Sequence, residues 1–106
     1  MLFADPPGAP SIPDIVDWDE KMVELKWEPP LRDNGAPITG YILEMRPEGS
    51  HDFVKANEVG PGCKGKITGL TPGQKYEFRV RAVNKAGTGE PSEATTPHLA
   101  KARFRE

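Results

Sequence analysis

The sequence holds a single cysteine, Cys63, in 106 residues, so no intrachain disulfide can form. A small domain without such staples fits a reducing compartment better than a secreted one. Glycosylation acceptors of the Asn-x-Ser/Thr type are absent too. Asn34, Asn57 and Asn84 are followed two positions later by Ala36, Val59 and Ala86. No apolar run approaches the roughly 20 residues of a membrane span. The opening MLFADPPGAP has neither the basic region nor the long apolar stretch of a signal peptide. Neither sign of charge dominates: 14 Lys and Arg stand against 16 Asp and Glu, for a net −2. Nothing global therefore attracts nucleic acid or an anionic membrane, and neither is expected as a partner. A helical period sustained over ten residues is missing as well.

Glycine and proline are plentiful, at 11 and 12 residues, as expected for short strands joined by many turns. Apolar and polar residues alternate with period 2. In MVELKW, Val23, Leu25 and Trp27 share a face; in YILEMR, Tyr41, Leu43 and Met45 do; in KYEFRVRAV, Tyr76, Phe78, Val80 and Ala82 do. Such alternation marks strands with one face in a core and one in water. Weaker strand signals cover 10–17, 52–58, 64–68 and 94–99, and turn signals lie at 28–37, 46–51, 60–62, 70–74 and 84–92. About seven short strands predict one all-β antiparallel sandwich. Its core is expected to contain Val23, Leu25, Trp27, Tyr41, Leu43, Met45, Ile67, Leu70, Tyr76, Phe78 and Val80. The domain is placed at residues 7–99, between an N-terminal linker, 1–6, and a charged C-terminal linker, 100–106.

Chemistry-bearing patterns are few. Gly60-x-x-x-x-Gly65-Lys66 matches most of a phosphate-binding loop, but Ile67 stands where magnesium needs Ser or Thr. Two glycines and a proline follow before a strand begins, so no helix dipole is available. These glycines are read instead as a turn and a strand start that want positive φ or a close backbone approach. His51, His98 and Cys63 are scattered over separate loops without the close pair that a zinc site needs. Cys63 likewise lacks a patterned histidine and carboxylate to activate it as a nucleophile. No catalytic residue, metal or cofactor is expected.

Trp27-Glu28-Pro29-Pro30, then DNGAPITGYILEMR, then LTPGQKYEFRVRAVNKAGTGEPS resemble a fibronectin type III domain over nearly the whole chain. Leu70-x-Pro72-x-x-x-Tyr76 has the spacing of that family's tyrosine corner. There a phenol buried at a strand start needs a hydrogen-bond partner and finds it in the preceding loop. The resemblance implies an immunoglobulin-like, seven-stranded sandwich in which Trp27, Leu70, Pro72 and Tyr76 are structural. It also implies that Asn84 and Gly87 help turn the chain, and that Pro91 and Ser92 lead into the final strand. The DNGAPITGY and VNKAGTGEPS stretches are similar to the modules of titin, twitchin, projectin and myosin-binding protein C. This narrower likeness implies a spacer and docking unit in a cytoplasmic, sarcomeric protein, monomeric in isolation. Its expected partners are myosin filaments and neighbouring immunoglobulin or fibronectin type III domains. The alternative is an extracellular adhesion or receptor module, although the integrin tripeptide Arg-Gly-Asp and the Trp-Ser-x-Trp-Ser box are both missing. A regulatory module beside a kinase is a third reading.

The candidate docking residues are the outward-facing charges Glu44, Arg46, Arg79 and Arg81, with Asn84 and Lys85 in the following loop. With Glu77, the strand charges are expected to form a cross-strand lattice, each pair contributing about a few tenths of a kcal/mol. Trp18 is expected to pack over one end of the sandwich, with an exposed interface anchor as its alternative. The basic tail residues Lys101, Arg103 and Arg105 are read as a connection to whatever follows.

Overall fold

The computed structural model describes residues 4–103. Two antiparallel sheets face each other, and no helix occurs among the described residues. The smaller sheet is built from β1 (Asp14–Trp18), β2 (Val23–Lys26) and β5 (Lys64–Ile67), in the order β1-β2-β5. The larger contains β3 (Gly40–Pro47), β4 (Val54–Val59), β6 (Lys75–Asn84) and β7 (Gly87–Pro91), in the order β4-β3-β6-β7, and β8 (His98–Leu99) also pairs with β6.

The expected alternation is what closes the core. Along β6 every second side chain is buried from Tyr76 to Asn84. Opposite it, Val23 and Leu25 of β2 are fully enclosed, with Trp27 just beyond the strand. Trp27 meets Tyr41 edge to face at a centroid distance of 5.2 Å, an arrangement that aromatic quadrupoles favour. Ten of the eleven expected core residues are buried; Met45 is half-buried and packs against the cluster's margin.

Eight strand segments arise from the seven expected because the last strand is interrupted. Between β7 and β8 the chain stays beside β6 without a regular ladder. Ser92 and Thr95 donate backbone N–H groups to the Val80 and Phe78 carbonyls, each at 2.8 Å. Their hydroxyls accept the Val80 and Phe78 N–H groups at 3.0 and 3.1 Å. Side chains thus complete what a continuous strand would supply, and they satisfy buried donors that would be costly to strand. Segment 87–91, expected as turn, is strand, whereas only 98–99 of the expected 94–99 is.

Turn chemistry follows local backbone need. Pro72 and Gly73 occupy the centre of a turn closed by Gln74 N–H to Thr71 O at 3.1 Å, and Gly73 takes φ +85°, as a type II turn requires. The glycines at 60 and 62 do not carry the expected positive φ. Cys63 does, at +60°. Gly65 answers to the other expectation, close approach, since a Cβ there would lie 3.0 Å from side-chain carbons of Leu43 and Val59.

The tyrosine corner forms. Tyr76 is buried, and its hydroxyl accepts the Thr71 N–H at 2.8 Å. Tyr76→Phe should lower unfolding free energy by about 1 kcal/mol or more, because a part-buried donor loses its acceptor. Equal urea midpoints for the two proteins would contradict this.

The first and last described residues are attached to the sandwich. Residues 1–3 and 104–106, which include Arg105, lie outside the described residues. Asp5 and Pro6, expected to be linker, belong to a strap running antiparallel to 28–34. Asp5, Gly8 and Ser11 donate N–H groups to the carbonyls of Asn34, Arg32 and Glu28 at 3.0, 3.1 and 3.2 Å. At the other end Ala100 is buried in the core and its N–H bonds Gln74 O at 2.9 Å. Its position is the reverse of a linker's.

Candidate protein-docking face

Pairing of β3 with β6 puts Glu44 opposite Arg79 and Arg46 opposite Glu77, with Arg81 one step along. All five side chains point away from the core because their neighbours in sequence point into it. The expected lattice is present. Glu44 accepts from Arg79 Nε at 2.6 Å and from Arg81 Nε at 3.1 Å, and Arg46 Nε reaches Glu77 at 2.7 Å. Three guanidiniums meet two carboxylates, so the lattice retains one unit of positive charge.

The aromatic ring at its centre, Phe53, was not anticipated. The guanidinium carbons of Arg46 and Arg79 lie 4.5 and 4.1 Å from its centroid. Each stack contributes about 0.5–1 kcal/mol where solvent reaches it, and together they hold both arginines in fixed poses. Arg46 also donates to His51 O at 3.1 Å, and Arg81 to Gly89 O at 3.0 Å. Phe53 falls within the weak strand signal over 52–58 but precedes β4, and nothing in that signal points it at the arginines.

The two loop candidates part company. Lys85 is exposed. Asn84 is buried and fully occupied: its Nδ2 donates to Asp5 O at 2.7 Å and Asp33 O at 2.8 Å, while its Oδ1 accepts the Ala86 and Gly87 N–H groups at 2.8 and 3.2 Å. Asn84 is therefore a tie between strap and loops and presents nothing to a partner. The correction follows from β6 alternation, which carries position 84 inward.

At the opposite end, Trp18 packs against the core margin with the Arg103 guanidinium 4.3 Å above its ring and His98 edge-on at 5.8 Å. Arg103 also pairs with Asp17. Trp18 thus covers the sandwich end, and Arg103 covers Trp18. Burial, aided by the Lys101 charge, holds the His98 imidazole below its ordinary pKa. The unfolded chain therefore binds a proton near pH 6.5 that the folded chain resists. Stability should fall as pH drops below about 6.5 and level off below the folded-state value. Thermal midpoints of wild type and His98→Phe between pH 7.5 and 5.5 test this: the wild-type slope should be the steeper, and parallel curves would refute it.

Tyr41 and Cys63 meet at 3.5 Å inside this fold. Burial, and then the nearby Cys63 sulfur, push the phenol of Tyr41 far above its ordinary value. The glycine-rich 60–66 segment is the turn from β4, 60–63, and the first three residues of β5, with no helix behind it. His51, His98 and Cys63 are not gathered, and no three metal-ligating side chains converge among the described residues.

Two antiparallel sheets, the tyrosine corner and the interrupted last strand coincide with a family match to the fibronectin type III domain over residues 8–98. The chain belongs to the fibronectin type III family. This fibronectin type III chain is 38% identical over 100 residues to fast-type myosin-binding protein C of Homo sapiens, covering 93% of itself and 9% of that protein. Domains A168–A170 from titin give a TM-score of 0.88 at 31% identity, with 92% of this chain and 33% of that one covered. The twitchin kinase region of C. elegans gives 0.87 at 33%, with 95% and 18% covered. The module is thus similar to those of muscle proteins and spans a small part of their length.

Proposed function

We propose that this fibronectin type III module is a non-catalytic spacer and protein-docking unit of a filament-associated, sarcomeric protein. The observation that carries the docking part is the arginine lattice. Glu44 and Phe53 hold Arg46, Arg79 and Arg81 in place, so a partner meets a positive surface whose side-chain entropy is already spent. Likeness to modules of myosin-binding protein C and titin supports a thick-filament partner, and the exposed Lys85 adds a positive charge in the loop after β6. Fixed charges of this kind contribute orientation and specificity more than affinity.

Co-sedimentation with reconstituted myosin filaments tests the reading. Saturable binding that weakens with salt is expected, and Arg79→Glu with Arg81→Glu should weaken it by about tenfold, or 1.4 kcal/mol. Absence of binding at high micromolar concentration would leave the module a spacer only. A second reading, a module adjoining a kinase, is supported by the likeness to the twitchin kinase region. Sequence adjoining this chain decides it.

A further inference from the structure

On one side of the sandwich two strand edges stay open: β1 in the smaller sheet, and the β7–β8 stretch in the larger. Among the described residues five large apolar side chains stand exposed; Val16 and Leu99 lie on these two segments, and Ile12 lies just ahead of β1. Between the segments runs a groove of about 300 Å³, with Ile12, Pro13 and Ile15 on one wall and Thr96 and Pro97 on the other. That volume is at the bottom of the range for small-molecule pockets; it suits one or two side chains better than a cofactor.

The charge of the groove is one-sided. Asp14 lies in its lining, and the exposed Glu93 precedes its far wall. Asp14 is opposite Lys26 in the β1–β2 register, yet neither carboxylate takes part in the ion pairs among the described residues. Among the described residues, no lysine or arginine lines the groove. Apolar surface rimmed by unpaired negative charge calls for an apolar group with a cation beside it.

Backbone pairing is not the mode of recognition. Val16 is the extra residue of a bulge, since Ile15 pairs with Leu25 and Asp17 with Glu24. A bulge and prolines on both segments blunt strand addition. A second copy of this chain is disfavoured because a symmetric contact would set Asp14 against Asp14. We propose that the groove docks a protein segment in which a branched apolar residue adjoins a lysine or arginine. The apolar side chain inserts between Ile12, Ile15 and Pro97, and the cation reaches Asp14 and Glu93. This site is separate from the arginine lattice and has the opposite charge preference.

The probe is the blocked hexapeptide Ser-Lys-Leu-Lys-Ile-Ser, with a counterpart carrying Glu for Lys, each titrated into the isotope-labelled chain. The lysine peptide should shift the amides of Asp14, Ile15, Thr96 and His98 saturably. Asp14→Asn or Glu93→Lys, both at exposed positions, should raise its dissociation constant about tenfold with the thermal midpoint unchanged. Equal shifts with the glutamate peptide would overturn the proposal. So would shifts confined to the arginine lattice, indifference to both substitutions, or no saturation up to millimolar peptide. Each of these outcomes leaves binding through Arg79 and Arg81 to be judged by co-sedimentation.

Discussion

Phe78→Ala is expected to lower unfolding free energy by about 3–5 kcal/mol, the range for a large aromatic truncated in a packed core. Phe78 has no accessible surface. It sits on β6, between β3 on one side and the last strand on the other. Its ring stacks with Tyr76 at 6.3 Å and lies against His98 at the same centroid distance, so truncation would open a void beneath the tyrosine corner as well. Its N–H is held by the Thr95 hydroxyl and its carbonyl by the Thr95 N–H. Both of the anchored groups belong to the Phe78 backbone and survive the truncation, so they keep the strand in place and restrict collapse around the void. Against a total stability of about 5–15 kcal/mol for a domain of this kind, the loss removes a large share. Arg79→Ala, one residue on but facing water, should cost only about 1 kcal/mol. Urea unfolding of both variants provides the comparison, and a Phe78→Ala loss as small as that of Arg79→Ala would refute the account.

The difference between adjacent positions 78 and 79 was visible in the sequence because period 2 is a local signal. Where each side chain has a buried or solvated neighbour two places away, alternation shows which face it takes; that covers β2, β3 and β6, and with them the charge lattice. Features whose cause is distant in sequence were not visible. Phe53 is ordered by arginines from two other strands. β7 contains Gly87-Thr88-Gly89, which has no apolar alternation, and is strand only because β6 offers it a partner. Asp5 and Pro6, at the start of the strap, read as linker, since nothing in the neighbouring PPGAP reveals that Asn84 will bond to Asp5. Asn84 itself was misread as loop surface because VNKAG looks like a turn, whereas β6 runs one residue further and turns the side chain inward. Similarly, Ala100 carries too little apolar surface to announce itself as core.

Gly89→Ala should detach the strap at a cost of about 1–3 kcal/mol, the range for inserting a methyl group where none fits. A Cβ at position 89 would stand 2.0 Å from Pro7 O and 2.8 Å from Pro7 C. Both are backbone atoms, so no side-chain rotation relieves the clash; either β7 moves or the strap lifts. β7 is tied to β6 through the register of Thr88 with Val83 and Pro91 with Arg81. The strap depends on single bonds to loops, and it is therefore the part that yields. Once it lifts, Asn84 Nδ2 loses Asp5 O, Asn34 Nδ2 loses Pro6 O, and the Asp5 and Gly8 N–H groups lose Asn34 and Arg32. Hydrogen exchange should accelerate at Asp5 and Gly8 while the amides of Phe78 and Val80 stay protected. Gly60→Ala is the control: a Cβ there meets nothing within 4 Å, and its effect should stay within about 0.5 kcal/mol. Unchanged exchange at Asp5 and Gly8 in Gly89→Ala would mean that β7 moves instead. If the strap is what yields, the missing side chain at position 89 fixes the direction in which the strap approaches the sandwich, and the proposed spacer role would need that direction fixed.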